Sequence, residues 1–146
     1  MKVIEVIDKS MELLEVKCTK EDLLDCFKLV EHQLALEYFP LYATHKCNSN
    51  IVYYDEFEYA PVRIVSGNCK FKVKPTHLES KEVITEVVYA YTPNKKGLYD
   101  ECSYDEQFLN CIAYGMIAEY LCTQCFYEES IVWEKKYKKE ISNLYN

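Results

Sequence analysis

FLNCIAYGMIAEYLCTQCF, Phe108 to Phe126, decides how the rest of the chain is read. It is apolar on nearly every side and carries one formal charge, Glu119. Every third or fourth residue gives a seam of Phe108, Cys111, Gly115, Ala118, Cys122 and Cys125, the period of a helix stripe that faces another helix. After Phe108 every member is small, so a partner backbone can approach closely. Leu109, Ile112, Met116 and Tyr120 recur at helical spacing on the opposite side. A helix that is apolar on two sides has to be covered on both. The expectation is a central helix over 108–126 whose second face is completed by another copy of the protein.

The flanks fit a helical body. Ser103, with Glu106 three residues later, forms a capping-box pattern predicted to open the central helix after the loop PNKKGLYDEC (93–102). Beyond it, EESIVWEKKYKKEISNL (128–144) predicts a last helix, with Glu128 and Glu129 at its positive end and lysines later. Trp133, Tyr137, Ile141 and Leu144 share one of its faces. At the start of the chain, residues 3–16 predict a short helix buried through Ile4, Ile7, Met11 and Leu14. A second helix runs from the N-cap Thr19, paired with Asp22, to about Tyr38, where Pro40 disfavours continuation. Its buried stripe is Leu23, Phe27, Val30 and Leu34; Glu21, Asp25, Lys28 and His32 lie on its wet side.

Between these pairs the period changes to alternation. Strands are predicted at 51–59, 62–66, 69–74 and 82–91, with Gly67-Asn68 as a two-residue hairpin turn. Cys69, Phe71 and Val73 then point one way and Lys70, Lys72 and Lys74 the other, a solvated row that discourages edge pairing. The order predicts a mainly helical α+β fold: a four-helix body carrying an inserted antiparallel sheet of four strands. Residues 1–146 read as a single domain, with helical body 1–40 and 103–146, β insertion near 44–92 and loop 93–102.

The 146 residues include 49% hydrophobic and 28% charged, which is ordinary for a folded chain. A net charge of −7 argues against a dedicated nucleic-acid binder, whose affinity rests on Lys and Arg contacts to phosphate. The amino-terminal MKVIEVIDKSMELLEV mixes charges with apolar residues, unlike a secretory signal. Asn110, Glu119, Thr123 and Gln124 speak against the central helix spanning a membrane. Fourteen tyrosines suit interfaces and strands alike. The eight cysteines, four of them among apolar neighbours on predicted helices, read as reduced thiols acting as small hydrophobes.

Candidate chemistry is sparse. Cys122-x-x-Cys125 has redox spacing, but lies near the far end of its helix instead of the amino-terminus that activates a thiol. His45, Cys47, Cys69 and His77 lack the second tight pair of a zinc site. His32 reads as solvated, Asp55/Glu56 and Asp105/Glu106 as surface acids, and no glycine-rich phosphate loop is present. No catalytic, cofactor or metal site is expected. Lys135, Lys136, Lys138 and Lys139, straddling an inward Tyr137, form the one strong positive patch.

LEYFPL (36–41), IVYYDEFEYAPVRIVSGNCKFKVKPTHLES (51–80) and EVVYAYTPNKKGLYDECSYDEQFLNCIAYGMIAEYLCTQCFYEESIVWEKKYKKEI (86–141) together resemble the head–tail connector, or adaptor, proteins of tailed bacteriophages. The most specific pieces are AYGMIAEY (113–120) and YEES-x-x-WEKKY (127–137). The eight cysteines depart from the family pattern. The resemblance implies a structural virion protein without enzymatic turnover, a helical body with a β-rich insertion, assembled in the host bacterial cytoplasm. Its partners would be copies of itself in a ring, usually of twelve; the portal; the next neck or tail protein; and double-stranded DNA passing unbound through the lumen. Trp133, Lys135, Lys136, Tyr137, Lys138 and Lys139, and the loop around Lys95, Lys96 and Tyr99, would be portal or subunit contacts. A competing reading is a small cytosolic binding module or thiol-dependent enzyme using Cys122 and Cys125.

Overall fold

A computed structural model describes Met1–Tyr145. Four helices and a four-stranded antiparallel sheet make an α+β fold. The chain divides into two compact units, one formed by Met1–Gln33 with the chain from Lys95 onward, the other by Leu34–Asn94. The β unit thus begins at Leu34, earlier than the alternating pattern suggests, and the segment from Lys95 to Cys102 belongs with the helices.

In the helical unit, α1 (Val3–Leu13) buries Val3, Val6, Ile7 and Ser10. The predicted face through Ile4, Met11 and Leu14 is therefore displaced by one residue. Ser10 reads as polar, yet its hydroxyl donates to the Val6 carbonyl at 2.9 Å, which satisfies it inside the core. Helix α2 (Lys20–Gln33) opens as expected: the Asp22 amide donates to Thr19 Oγ1 at 3.1 Å and the Thr19 amide to Asp22 Oδ2 at 3.2 Å. Leu23, Phe27, Val30 and Leu34 are all buried. The run closes through a π turn at Leu34–Tyr38, where the Phe39 amide donates to the Leu34 carbonyl at 2.6 Å just before Pro40.

Helix α3 (Leu109–Thr123) is shorter at both ends than the 108–126 apolar run. Asp105, not Ser103, caps the single 3-10 turn Glu106–Phe108 that precedes it, accepting from the Gln107 amide at 3.0 Å. Its far end is a Schellman closure: the Phe126 amide donates to Leu121 O at 2.9 Å and the Cys125 amide to Cys122 O at 3.0 Å. Cys125 takes the left-handed position with φ 65°. Helix α4 (Tyr127–Tyr145) follows at once, burying Ser130, Tyr137 and Ile141, with Trp133 and Leu144 half-buried beside them.

In the β unit, β1 (Leu41–Tyr53) starts ten residues before the predicted strand and ends where Tyr54–Glu56 forms a 3-10 turn. Strand β4 (His77–Tyr91) is central: β1 lies along one edge, and β2 (Pro61–Gly67) and β3 (Lys72–Val73) share the other. The predicted β2–β3 hairpin is not formed. Both strands run antiparallel to β4, β2 opposite Val87–Tyr91 and β3 opposite Leu78–Glu79. Between them the Asn68 side chain replaces strand pairing, donating to Val83 O at 3.1 Å and accepting from the Thr85 amide at 2.8 Å. Gly67 does not take positive φ. It is needed for close approach, since a Cβ there would stand 2.9 Å from the Glu86 carbonyl oxygen.

The unit has its own core of Val52, Phe57, Leu78, Ile84, Val87 and Tyr89, with Phe57 stacked on Tyr89 at 4.5 Å. The β4 residues in this core are even-numbered to Ile84 and odd-numbered from Val87, while Ala90 is buried on the other side. The change of phase coincides with the irregular β1–β4 register between Lys46 and Ile51.

Candidate functional site

The seam of α3 brings together what spacing joined, but with a different partner. Cys111, Gly115 and Ala118 are buried, and so are Ile112, Met116 and Tyr120 opposite. The chain's own α1, α2 and α4 pack on α3. A Cβ on Gly115 would lie 2.9 Å from Tyr137 Cε1 and 3.1 Å from Val30 Cγ1, so close approach is made to α4 and α2. Ser130 of α4 donates to the Ala118 carbonyl at 2.8 Å, fixing the same corner. No second copy is needed to cover this stretch, which corrects the expectation for the second face. Phe108 is half-buried against Tyr104 at 4.7 Å. Cys122 and Cys125 are exposed and leave the seam altogether.

Helix α4 divides its candidate residues. Tyr137 is 1% exposed and its hydroxyl donates to Gln33 Oε1 at 3.2 Å, so it is core and not a contact residue. Trp133 is half-buried against Tyr114, ring centroids 5.5 Å apart, with Lys136 Nζ 4.2 Å above its ring. Lys135, Lys136, Lys138 and Lys139 are exposed, and Lys138 reaches Glu134 at 3.8 Å. Beside them Ile131 and Val132, 56% and 52% exposed, continue the outer face toward the amino end of the helix. These two aliphatics escaped sequence reading because the inward stripe claimed the apolar positions; their spacing opposite Ser130 and Tyr137 was the available signal.

The loop candidates also separate. Lys95 and Tyr99 are exposed. Lys96 is not: its side chain is 13% exposed and forms an ion pair at 2.9 Å with Glu31, itself 3% exposed. The Ser103 amide donates to the same carboxylate at 2.9 Å, and Lys96 also donates to the Ser103 hydroxyl. Ser103 is thus committed to this cluster, which is why it does not cap α3. Glu31 was the missed residue. A charge at a position flanked by Phe27, Val30 and Leu34 requires a buried partner.

The histidines and thiols of the β unit do not converge on a common centre. His77 Nε2 lies 2.8 Å from Glu79, and His45 packs on Phe57 at 4.7 Å. The His77 contact holds the Glu79 carboxyl below its ordinary range, aided by Lys74 and Lys72. Cys47 donates to Ile84 O at 3.2 Å, and Cys69 Sγ lies 3.4 Å from Ser80 Oγ. Burial pushes the thiols of Cys26, Cys102 and Cys111 up to about 12, so these stay protonated and inert.

Two clefts are lined by β-unit residues alone. One, of about 750 Å³, is bordered by Cys69 to Lys72 and Glu79 to Glu82; the other, of about 500 Å³, by Tyr54, Pro61 to Ile64 and Val73 to Pro75. Neither includes Cys122 or Cys125. Among the described residues no helix is long and apolar enough to cross a membrane. No protein-family model matches the chain, and no curated protein is detectably similar to it.

Proposed function

We propose that this chain is a structural subunit of the neck of a tailed bacteriophage, a connector that forms a ring under the portal and turns over no substrate. The observation that supports this most is the outer face of α4. The helix is anchored through Ser130, Tyr137 and Ile141. It therefore holds Ile131, Val132, Lys135, Lys136 and Lys139 rigidly toward solvent. Exposed aliphatics rimmed by charge suit docking to a protein surface that is apolar at its centre and acidic at its edge. The resemblance of 36–41, 51–80 and 86–141 to connector proteins names that surface as the portal. Because the α3 seam is covered within the chain, contacts between copies fall elsewhere, and the loop at Lys95 and Tyr99 is the second candidate. An acidic chain also suits a conduit through which DNA slides without adhering.

The test is electron imaging of the chain mixed with the cognate portal. The expected result is cyclic density with this chain in a ring, lost when Lys135→Glu and Lys139→Glu are combined. A chain that never joins the portal overturns the proposal, and so does a ring that forms unchanged with both lysines reversed.

A further inference from the structure

Cys122 and Cys125 are the two exposed thiols among the eight cysteines. They are the ends of one turn, in which the Cys125 amide donates to the Cys122 carbonyl at 3.0 Å. Gln124 between them has φ −90° and ψ 7°, the third-position geometry of a type I turn, which brings the first and fourth Cα atoms within about 7 Å. The Tyr127 hydroxyl donates to Cys125 Sγ at 3.4 Å. The hydrogen bond to Cys125 raises the pKa of that hydroxyl, with burial and Cys122 adding smaller contributions. Cys125 is moreover the one non-glycine residue with positive φ among those described, at a helix-closing position that favours glycine. A thiol stands where backbone geometry alone asks for no side chain.

Two thiols on one exposed turn are a chelate for a soft ion. We propose that Cys122 and Cys125 form a two-coordinate site for a monovalent d10 cation, copper(I), with Tyr127 as hydrogen-bond donor to a bound sulfur. Binding breaks two S–H bonds, forms two S–Cu bonds and releases two protons to solvent; no electron is transferred. Thiolate softness selects copper(I) over harder ions. Zinc(II) requires about four ligands, and no cluster of three or more His, Cys, Asp or Glu able to hold a metal occurs among the described residues. The six other thiols are buried or half-buried. The site does not depend on the assembly reading.

The test is an anaerobic titration of the reduced full chain with copper(I) against a chromophoric copper(I) chelator, following the thiolate-to-copper charge-transfer band. One tight equivalent is expected, lost in Cys122→Ser and in Cys125→Ser and kept in Cys47→Ser/Cys69→Ser. Tyr127→Phe should weaken it about tenfold, as removal of a hydrogen-bond partner to a ligand does. All substitutions at the turn lie on the surface, and circular dichroism is the check that each variant folds. Undiminished copper uptake in Cys122→Ser/Cys125→Ser overturns the site, as does zinc(II) competing at equal concentration.

Discussion

Gly115 and Tyr137 touch so closely that a single added methyl group would stand 2.9 Å from Cε1 and 3.0 Å from Cδ1 of the ring. This contact sets the distance between α3 and α4, and the ring has no room to retreat because Tyr137 is buried. Gly115→Ala gains about 1 kcal/mol of helix propensity. Overpacking a rigid core costs roughly 1–3 kcal/mol, so a net loss on the order of 1 kcal/mol is expected. Urea denaturation measures it. Gly97→Ala, where the nearest atom is 3.6 Å away, is the control and should show no such loss.

Lys96 neutralises Glu31 inside the helical unit, and the Ser103 amide completes the site. Removing one member leaves an uncompensated buried charge. Lys96→Met should therefore destabilise by roughly 3–5 kcal/mol. Adding Glu31→Gln should recover a substantial part of that loss, since the orphaned charge is gone. A double-mutant cycle in denaturant decides the matter; purely additive losses would contradict the ion-pair account.

Cys125 carries a left-handed backbone at φ 65°. That conformation costs an L-residue roughly 1–2 kcal/mol, while glycine adds roughly 0.4–1 kcal/mol of unfolded-state entropy. The first effect wins. Cys125→Gly should stabilise the chain by about 0.5–1 kcal/mol, read as a raised denaturation midpoint, and Cys122→Gly, inside α3, should lower it.

What could be read from the sequence follows from how each element earns its burial. Helices α2 and α4 were legible because Leu23, Phe27, Val30 and Leu34, and Trp133, Tyr137, Ile141 and Leu144, repeat at helical spacing on one face; of the second set Tyr137 and Ile141 are buried and Trp133 and Leu144 half-buried. Strand β1 was missed over Leu41–Asn50 because its inward residues, Ala43, His45 and Cys47, are only half-buried and do not read as apolar alternation. Gly67-Asn68 has the composition of a hairpin turn but instead serves close approach and side-chain pairing to β4, which only the strand order reveals. Of the small-residue seam on α3, Cys111, Gly115 and Ala118 are buried with close approach at Gly115, whereas Cys122 and Cys125 turn out to solvent at the end of the helix. The partner of the seam was not legible, because local spacing cannot distinguish a helix of the same chain from one of another copy. Glu31 was hidden for a related reason: its partner Lys96 lies 65 residues away.

The buried thiols predict how stability responds to alkali. Cys26 and Cys111 ionise at about 12 in the folded chain because burial disfavours the thiolate, against an ordinary value of 9.0. Above pH 9.0 the unfolded chain releases these protons while the folded chain keeps them, so the unfolded state binds fewer protons and stability falls as pH rises. The contribution is complete below 9.0 and is lost progressively toward 12. Each thiol removes at most roughly 1.4 kcal/mol per pH unit in that window. Tyrosine and lysine titrate there too, so the informative quantity is the difference between chains. Melting temperatures measured on both sides of pH 9.0 should fall less steeply for Cys26→Ala/Cys111→Ala than for the parent, even though the variant starts lower from lost packing. Parallel pH profiles would show that these thiols are not held neutral by the fold.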